Sequence, residues 1–93
     1  MGIFLKDPAA AIDYAIDWAA GYLGIRTVVA SGWSVAPAEP GGIALQAAAR
    51  SAGRTSATLA GGVPGHVYRI TNEVTLSDGA HEERTLTIRC EDR

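Results

Sequence analysis

The side chains able to do chemistry fall in a few short stretches. In AIDYAIDW (11–18), Asp13 and Asp17 stand four residues apart. On a helix that spacing puts both carboxylates on one face, where they could hold a metal ion or move a proton. Asp7, Pro8 and Gly24 supply the cap, the first turn and the stop that such a helix needs. On a strand the same two residues point to solvent with Ala15, away from Ile12, Tyr14, Ile16 and Trp18. His66 and His81 lie in polar surroundings and read as surface residues. HEER (81–84) lacks the second His of a zinc helix. The single cysteine, Cys90, has no partner for an intramolecular disulfide; its alternation with Leu86 and Ile88 makes it a small buried hydrophobe. Glycines cluster at 41–42, 61–62 and 65, but no Gly-Lys-Ser/Thr follows them, and no Gly-x-Ser-x-Gly elbow occurs. The expectation is a protein that is no enzyme, with no catalytic, metal-binding or cofactor-binding residues.

The elements around these residues settle the choice at 11–18. GHVYRITNEVTL (65–76) alternates, with Tyr68, Ile70, Val74 and Leu76 on one face. HEERTLTIRC (81–90) alternates likewise, and Asp78-Gly79 between them is a hairpin turn signal. RTSATLAGG (54–62) reads as a strand, as does RTVVASGWSVAP (26–37), which places Val29, Trp33 and Val35 on one face. PAEPGG (37–42) is a loop. GGIALQAAARSAGR (41–54) is ambiguous: Ile43, Leu45 and Ala47 alternate, yet the alanines favour a helix. A hairpin of this length needs a second sheet over its apolar face, so 43–48 is read as a strand. Residues 11–18 become a strand for the same reason, with a helical turn left open at Asp7–Ala10, and Asp13 and Asp17 become solvated.

The fold class expected is all-β: an antiparallel immunoglobulin-like sandwich of about six or seven strands, one domain over residues 1–93 with a short N-terminal arm at 1–8. Trp18 and Trp33 belong to its core. Tyr68, three residues after Gly65 at the start of a long strand, is placed like a tyrosine corner, whose hydroxyl bonds upstream backbone. The competing reading is a half-buried ring with a wet hydroxyl.

Composition narrows the partners. Ninety-three residues give a single modest core. A net charge of −2, with eight scattered basic residues, offers no stripe for nucleic acid. There is no run of about 20 apolar residues to span a membrane, and MGIFLKDP lacks the pattern of a signal peptide. The surface must therefore carry the function. Ile3, Phe4 and Leu5 stand together ahead of Asp7-Pro8, and three consecutive apolar residues are costly to leave in water. They either fold back on their own sandwich or dock on a neighbour, which makes them the candidate assembly contact.

KDPAAAIDYAIDW (6–18), Leu23, TVVASGWSV (27–35) and TSATLAGGVPGHVYRITNEVTLSDGAHEERTLTIR (55–89), in that order, resemble a family of small virion proteins of tailed phages and prophages. These are fiber-tail adaptors or small neck and tail components. AAGYLGIR (19–26) departs from the family in lacking a polar Gly-Asp turn, and the 41–54 stretch is unusually alanine-rich. The resemblance implies a non-enzymatic structural piece in the virion, made in the bacterial cytoplasm. Its partners would be other tail, neck or fiber proteins, with a homo-oligomer left open. The alternative is a free-standing immunoglobulin-like binding or adhesion module for carbohydrate or protein. Sugar binding favours exposed aromatics on one face; here Tyr14, Trp18 and Trp33 point inward, leaving Tyr22 as the exposed one.

Overall fold

Alternating apolar residues bounded by turn residues build seven strands, seen in a computed structural model that describes residues 3–20 and 24–91. They are β1 (Ile3–Lys6), β2 (Ile12–Asp17), β3 (Val28–Ala36), β4 (Ile43–Arg50), β5 (Arg54–Gly61), β6 (Val67–Leu76) and β7 (His81–Cys90). A 3-10 turn, Trp18–Ala20, follows β2. The strands form two sheets, ordered β1-β7-β6-β3 and β2-β5-β4, packed as a sandwich. This arrangement is compatible with an immunoglobulin-like fold. Of the stretch 11–18, residues 12–17 are strand and Trp18 opens the 3-10 turn, while 43–48 lie wholly within β4. Tyr22 and Leu23 lie outside the described residues.

The β6–β7 hairpin is the longest ladder, running from Val67 opposite Arg89 to Thr75 opposite His81. Gly79, at φ 89°, makes the reversal possible. Its N–H donates to Leu76 O at 2.8 Å, and the Ala80 N–H donates to Asp78 Oδ1 at 3.0 Å. That amide is the main reason the Asp78 carboxyl is held below the usual carboxylate range, with the Arg26 guanidinium contributing. Between Asp7 and Ala10 the chain turns, Ala10 N–H donating to Asp7 O at 3.0 Å, and so crosses from one sheet to the other.

Alternation predicts most inward faces, and two bulges overturn it locally. Val29, expected to face inward with Trp33 and Val35, is 47% exposed. The ladder with β6 shifts between Val28 and Ala30, so Val28 takes the buried place opposite Leu76 and Val29 bulges out. In β4 the shift lies between Leu45 and Ala47. Ile43 and Leu45 face the core, but beyond Gln46 the parity reverses and Ala47 joins the outer face beside Thr58.

The core has two lobes. One gathers Ile43, Ala57, Leu59, Tyr68, Ile70, Leu86, Ile88 and Cys90. The other gathers Ile16, Trp18, Val28, Val74 and Leu76, with Tyr14 and Trp33 packed against both. A buried polar network joins the sheets beside Trp18. The indole N–H donates to Thr55 Oγ1 at 2.9 Å and Asn72 Oδ1 at 3.2 Å. Thr55 Oγ1 donates to Asn72 Oδ1 at 2.7 Å. Asn72 Nδ2 donates to Ser31 Oγ and Gly32 O, both at 2.9 Å. Each of these donors has an acceptor, so the network fixes the pairing of the sheets with its own donors satisfied.

Candidate assembly surface

The expected N-terminal arm is not a free arm from Ile3 onward. Ile3–Lys6 pair in parallel with Thr87–Cys90, Phe4 opposite Ile88 and Lys6 opposite Cys90. This is the one parallel ladder among the described strands, where the sequence suggested only antiparallel pairing. The arm can do this because Lys6 anchors it. Although a lysine is among the last residues expected inside a protein, Lys6 is 2% exposed. Its Nζ donates to Asp7 O at 3.0 Å, Ala10 O at 2.5 Å and Gly61 O at 2.7 Å. The three donors of the ammonium meet three backbone carbonyls. The sequence does not reveal the ring of carbonyls that Lys6 meets there.

β1 ends its sheet, so its second edge pairs with no described strand. Phe4 is 55% exposed and Leu5 50%, the apolar pair flanking that edge on opposite sides. The Phe4 ring also stands 6.4 Å from Tyr14, and Tyr14 meets Trp33 edge-on at 6.1 Å. Phe4 thus begins an aromatic line that runs through Tyr14 to Trp33 on the core's flank. Trp18 lies apart from that line, buried, under the Arg84 guanidinium at 5.6 Å from its ring centroid. The Trp18 ring is buried in the core, and the Trp33 ring is partly buried against it. Tyr22 lies outside the described residues.

Tyr68, fully buried, belongs to the lobe of Ile43, Leu59 and Cys90. Its hydroxyl accepts the Val63 N–H at 3.0 Å and donates to Glu39 Oε1 at 2.7 Å. His66 Nδ1 lies 2.7 Å from that same oxygen. Hydrogen bonds from Tyr68 and then His66 hold the Glu39 carboxyl below its ordinary range. Burial, with the neighbouring carboxylate, raises the Tyr68 phenol. The cluster ties the 37–42 loop to the start of β6. Nothing in PAEPGG beyond the presence of a Glu pointed to this contact, because it depends on a loop folding back over 29 residues of chain.

The other candidate groups do not converge. Asp13 accepts from Thr58 Oγ1 at 2.6 Å, and Asp17 accepts the Ala19 N–H at 3.1 Å. His81 sits 3.2 Å from Thr75 Oγ1. Among the described residues no three His, Cys, Asp or Glu side chains gather as metal ligands, and no helix is long and apolar enough to cross a membrane.

Residues 6–89 match the model of a family described as podophage GP4 fiber-tail adaptor protein gp77. Curated proteins give no match.

Proposed function

The chain belongs to the podophage fiber-tail adaptor family, a family of structural tail components, and from that premise we propose that it works purely through protein–protein contacts, without catalysis. Its partners are other tail, neck or fiber proteins, and its place of work is the virion. The contact we favour is the open edge of β1 with Phe4 and Leu5. One observation supports it above the others: the strand is locked to β7 and by Lys6, yet it leaves two adjacent large apolar residues half in water. An edge strand with unpaired backbone and apolar flanks is a template for a partner's strand. Phe4 would lie against the added strand on the inner side and Leu5 on the outer.

The test is the double substitution Phe4→Ser and Leu5→Ser in the full chain. Removal of residues 1–6 cannot serve, because it would take Lys6 out of the interior as well. The expected result is a folded protein with a melting temperature within a few degrees of the native one that fails to enter tails. Normal incorporation of the double variant would overturn the β1 reading.

A further inference from the structure

The far half of β4 covers nothing. In the ladder with β5, Ala48 stands opposite Ala57 and Arg50 opposite Thr55, and both of those partners are buried. Side chains directly across a ladder share a face, so Ala48 and Arg50 belong to the inner side of their sheet. Yet every residue from Gln46 to Arg50 is exposed. The two sheets part at this corner. Between them opens a cleft of about 180 Å³, lined by Ser31 and Trp33 of β3 and by Ala48, Ala49 and Arg50 of β4. On the outer side of the same strand end lies a second hollow, of about 200 Å³, among Ala49, Arg50, Ser51, Arg54 and Ser56. Arg50 borders both.

Backbone and charge together define what fits there. β4 ends its sheet, so one line of its N–H and C=O groups pairs with no described strand. From Ile43 to Ala49 it carries no charge and no proline, the usual guards of an edge. Such an edge is completed by another strand. The run from Ala47 to Arg50 is about 13 Å long, the reach of a short extended segment rather than of a globular face. A strand laid along it sends alternate side chains to opposite sides. One enters the inner cleft against the Trp33 ring; a cavity of about 150 Å³ already admits a benzene ring, so a Val or Leu side chain has room. Its neighbour enters the outer hollow, among two guanidiniums and two hydroxyls. Asp17 stands opposite Arg54 across the β2–β5 ladder, but neither Arg54 nor Arg50 makes an ion pair among the described residues. The side chain that suits this hollow is an Asp or Glu, whose two oxygens match a guanidinium's paired donors.

We propose that this corner binds an extended segment of another tail protein, paired with the free edge of β4, with an aliphatic residue over Trp33 and a carboxylate between Arg50 and Arg54. The inference rests on the reading of the chain as a contact-making tail component and adds a second contact to it. β1 and β3 close opposite ends of one sheet, and the cleft lies between β3 and β4. A chain bound at the β1 edge and at this corner links two partners from opposite sides.

Photo-crosslinking in assembled tails tests it. A diazirine side chain replaces Ala48 in one preparation of the full chain and Leu5 in another, and crosslinked peptides are mapped by mass spectrometry. Position 48 should join to a different protein, in a segment where apolar and acidic residues alternate. Arg50→Glu, shown to be folded by circular dichroism, should enter tails about tenfold less well. Reversing the crosslinked acidic residue of the partner to Lys should restore it. If the diazirine at 48 keeps the chain out of tails, a third preparation with the group at Ser51, on the outer hollow, repeats the mapping. Crosslinks from this corner only to another copy of the chain, or to nothing, would overturn the proposal. So would a partner segment without an acidic residue, or normal entry of Arg50→Glu into tails. Crosslinks from Leu5 with none from the corner remove this contact and leave the β1 contact standing; the reverse removes the β1 contact alone. A native chain absent from tails would overturn the reading on which both rest.

Discussion

The ammonium of Lys6 donates to the carbonyl of Gly61 at 2.7 Å, tying the last residue of β1 to the last residue of β5 in the opposite sheet. A buried cation normally costs stability, and this one is offset by its three hydrogen bonds to backbone carbonyls. Lys6→Met keeps the aliphatic stem and removes all three hydrogen bonds. The expected loss is about 2–3 kcal/mol, set by the acceptors left unsatisfied. Urea denaturation at neutral pH measures it. An unchanged midpoint would mean that water reaches those carbonyls and the clamp is not what holds β1.

Trp18 and Trp33 look equivalent in the sequence and differ in the fold. The Trp18 indole N–H has two acceptors, while the Trp33 Nε1 is buried with no hydrogen-bond partner. Trp18→Phe should cost about 2–3 kcal/mol, because it leaves Thr55 and Asn72 short of a donor and opens space in the core. Trp33→Phe removes an unsatisfied donor and should fall within about 1 kcal/mol of the native chain. Chemical denaturation of both variants, followed by circular dichroism, gives the contrast. Equal losses would remove the distinction.

The same residues show what a sequence can and cannot reveal. Period-two alternation places Tyr68, Ile70, Val74, Leu76, Leu86, Ile88 and Cys90 inward, and all are buried. It works there because β6 and β7 pair without a shift. It fails at Val29 and Ala47, where one extra residue in a bulge reverses the face and no local residue type announces the change. The inward setting of Lys6 and the Glu39–Tyr68 contact depend on carbonyls and loops brought from distant parts of the chain. Ile3, Phe4 and Leu5 were conspicuous as an apolar run; their parallel pairing with β7 was not, since parallel partners leave no short turn between them.

Gly62 and Cys90 form another tight pair. Gly62 sits at φ 114°, and a Cβ added there would fall on Cys90 Sγ. Burial raises the Cys90 thiol above its ordinary range, so little thiolate forms near neutral pH. Cys90 should be inert to thiol reagents in the native protein and react fully in denaturant. Gly62→Ala should cost about 2–5 kcal/mol from backbone strain and overpacking combined. Adding Cys90→Ala should return part of that loss, a coupling of about 1 kcal/mol or more between contacting residues. Strict additivity of the two substitutions would show that the side chains do not meet.

The Glu39–Tyr68 hydrogen bond predicts the shape of the stability–pH curve at both ends. The Glu39 carboxyl is held below its ordinary range in the fold, chiefly by the Tyr68 hydroxyl and then by His66. Its contribution is therefore complete above the unfolded value of about 4.3 and fades as pH falls toward the lower folded value. Tyr68 is shifted the other way, upward, chiefly by burial. The neutral phenol is favoured in the fold, so its contribution is present below about 10 and is lost as pH rises beyond that. Glu39→Gln should be less stable than the native chain at pH 7, with the gap closing in acid. Tyr68→Phe should flatten the alkaline limb while lowering stability at neutral pH, since it strands the Val63 N–H. Urea midpoints measured across the pH range for the three chains decide it. A Glu39→Gln gap that stays constant into acid would show that the carboxylate's charge plays no part in holding the loop to β6.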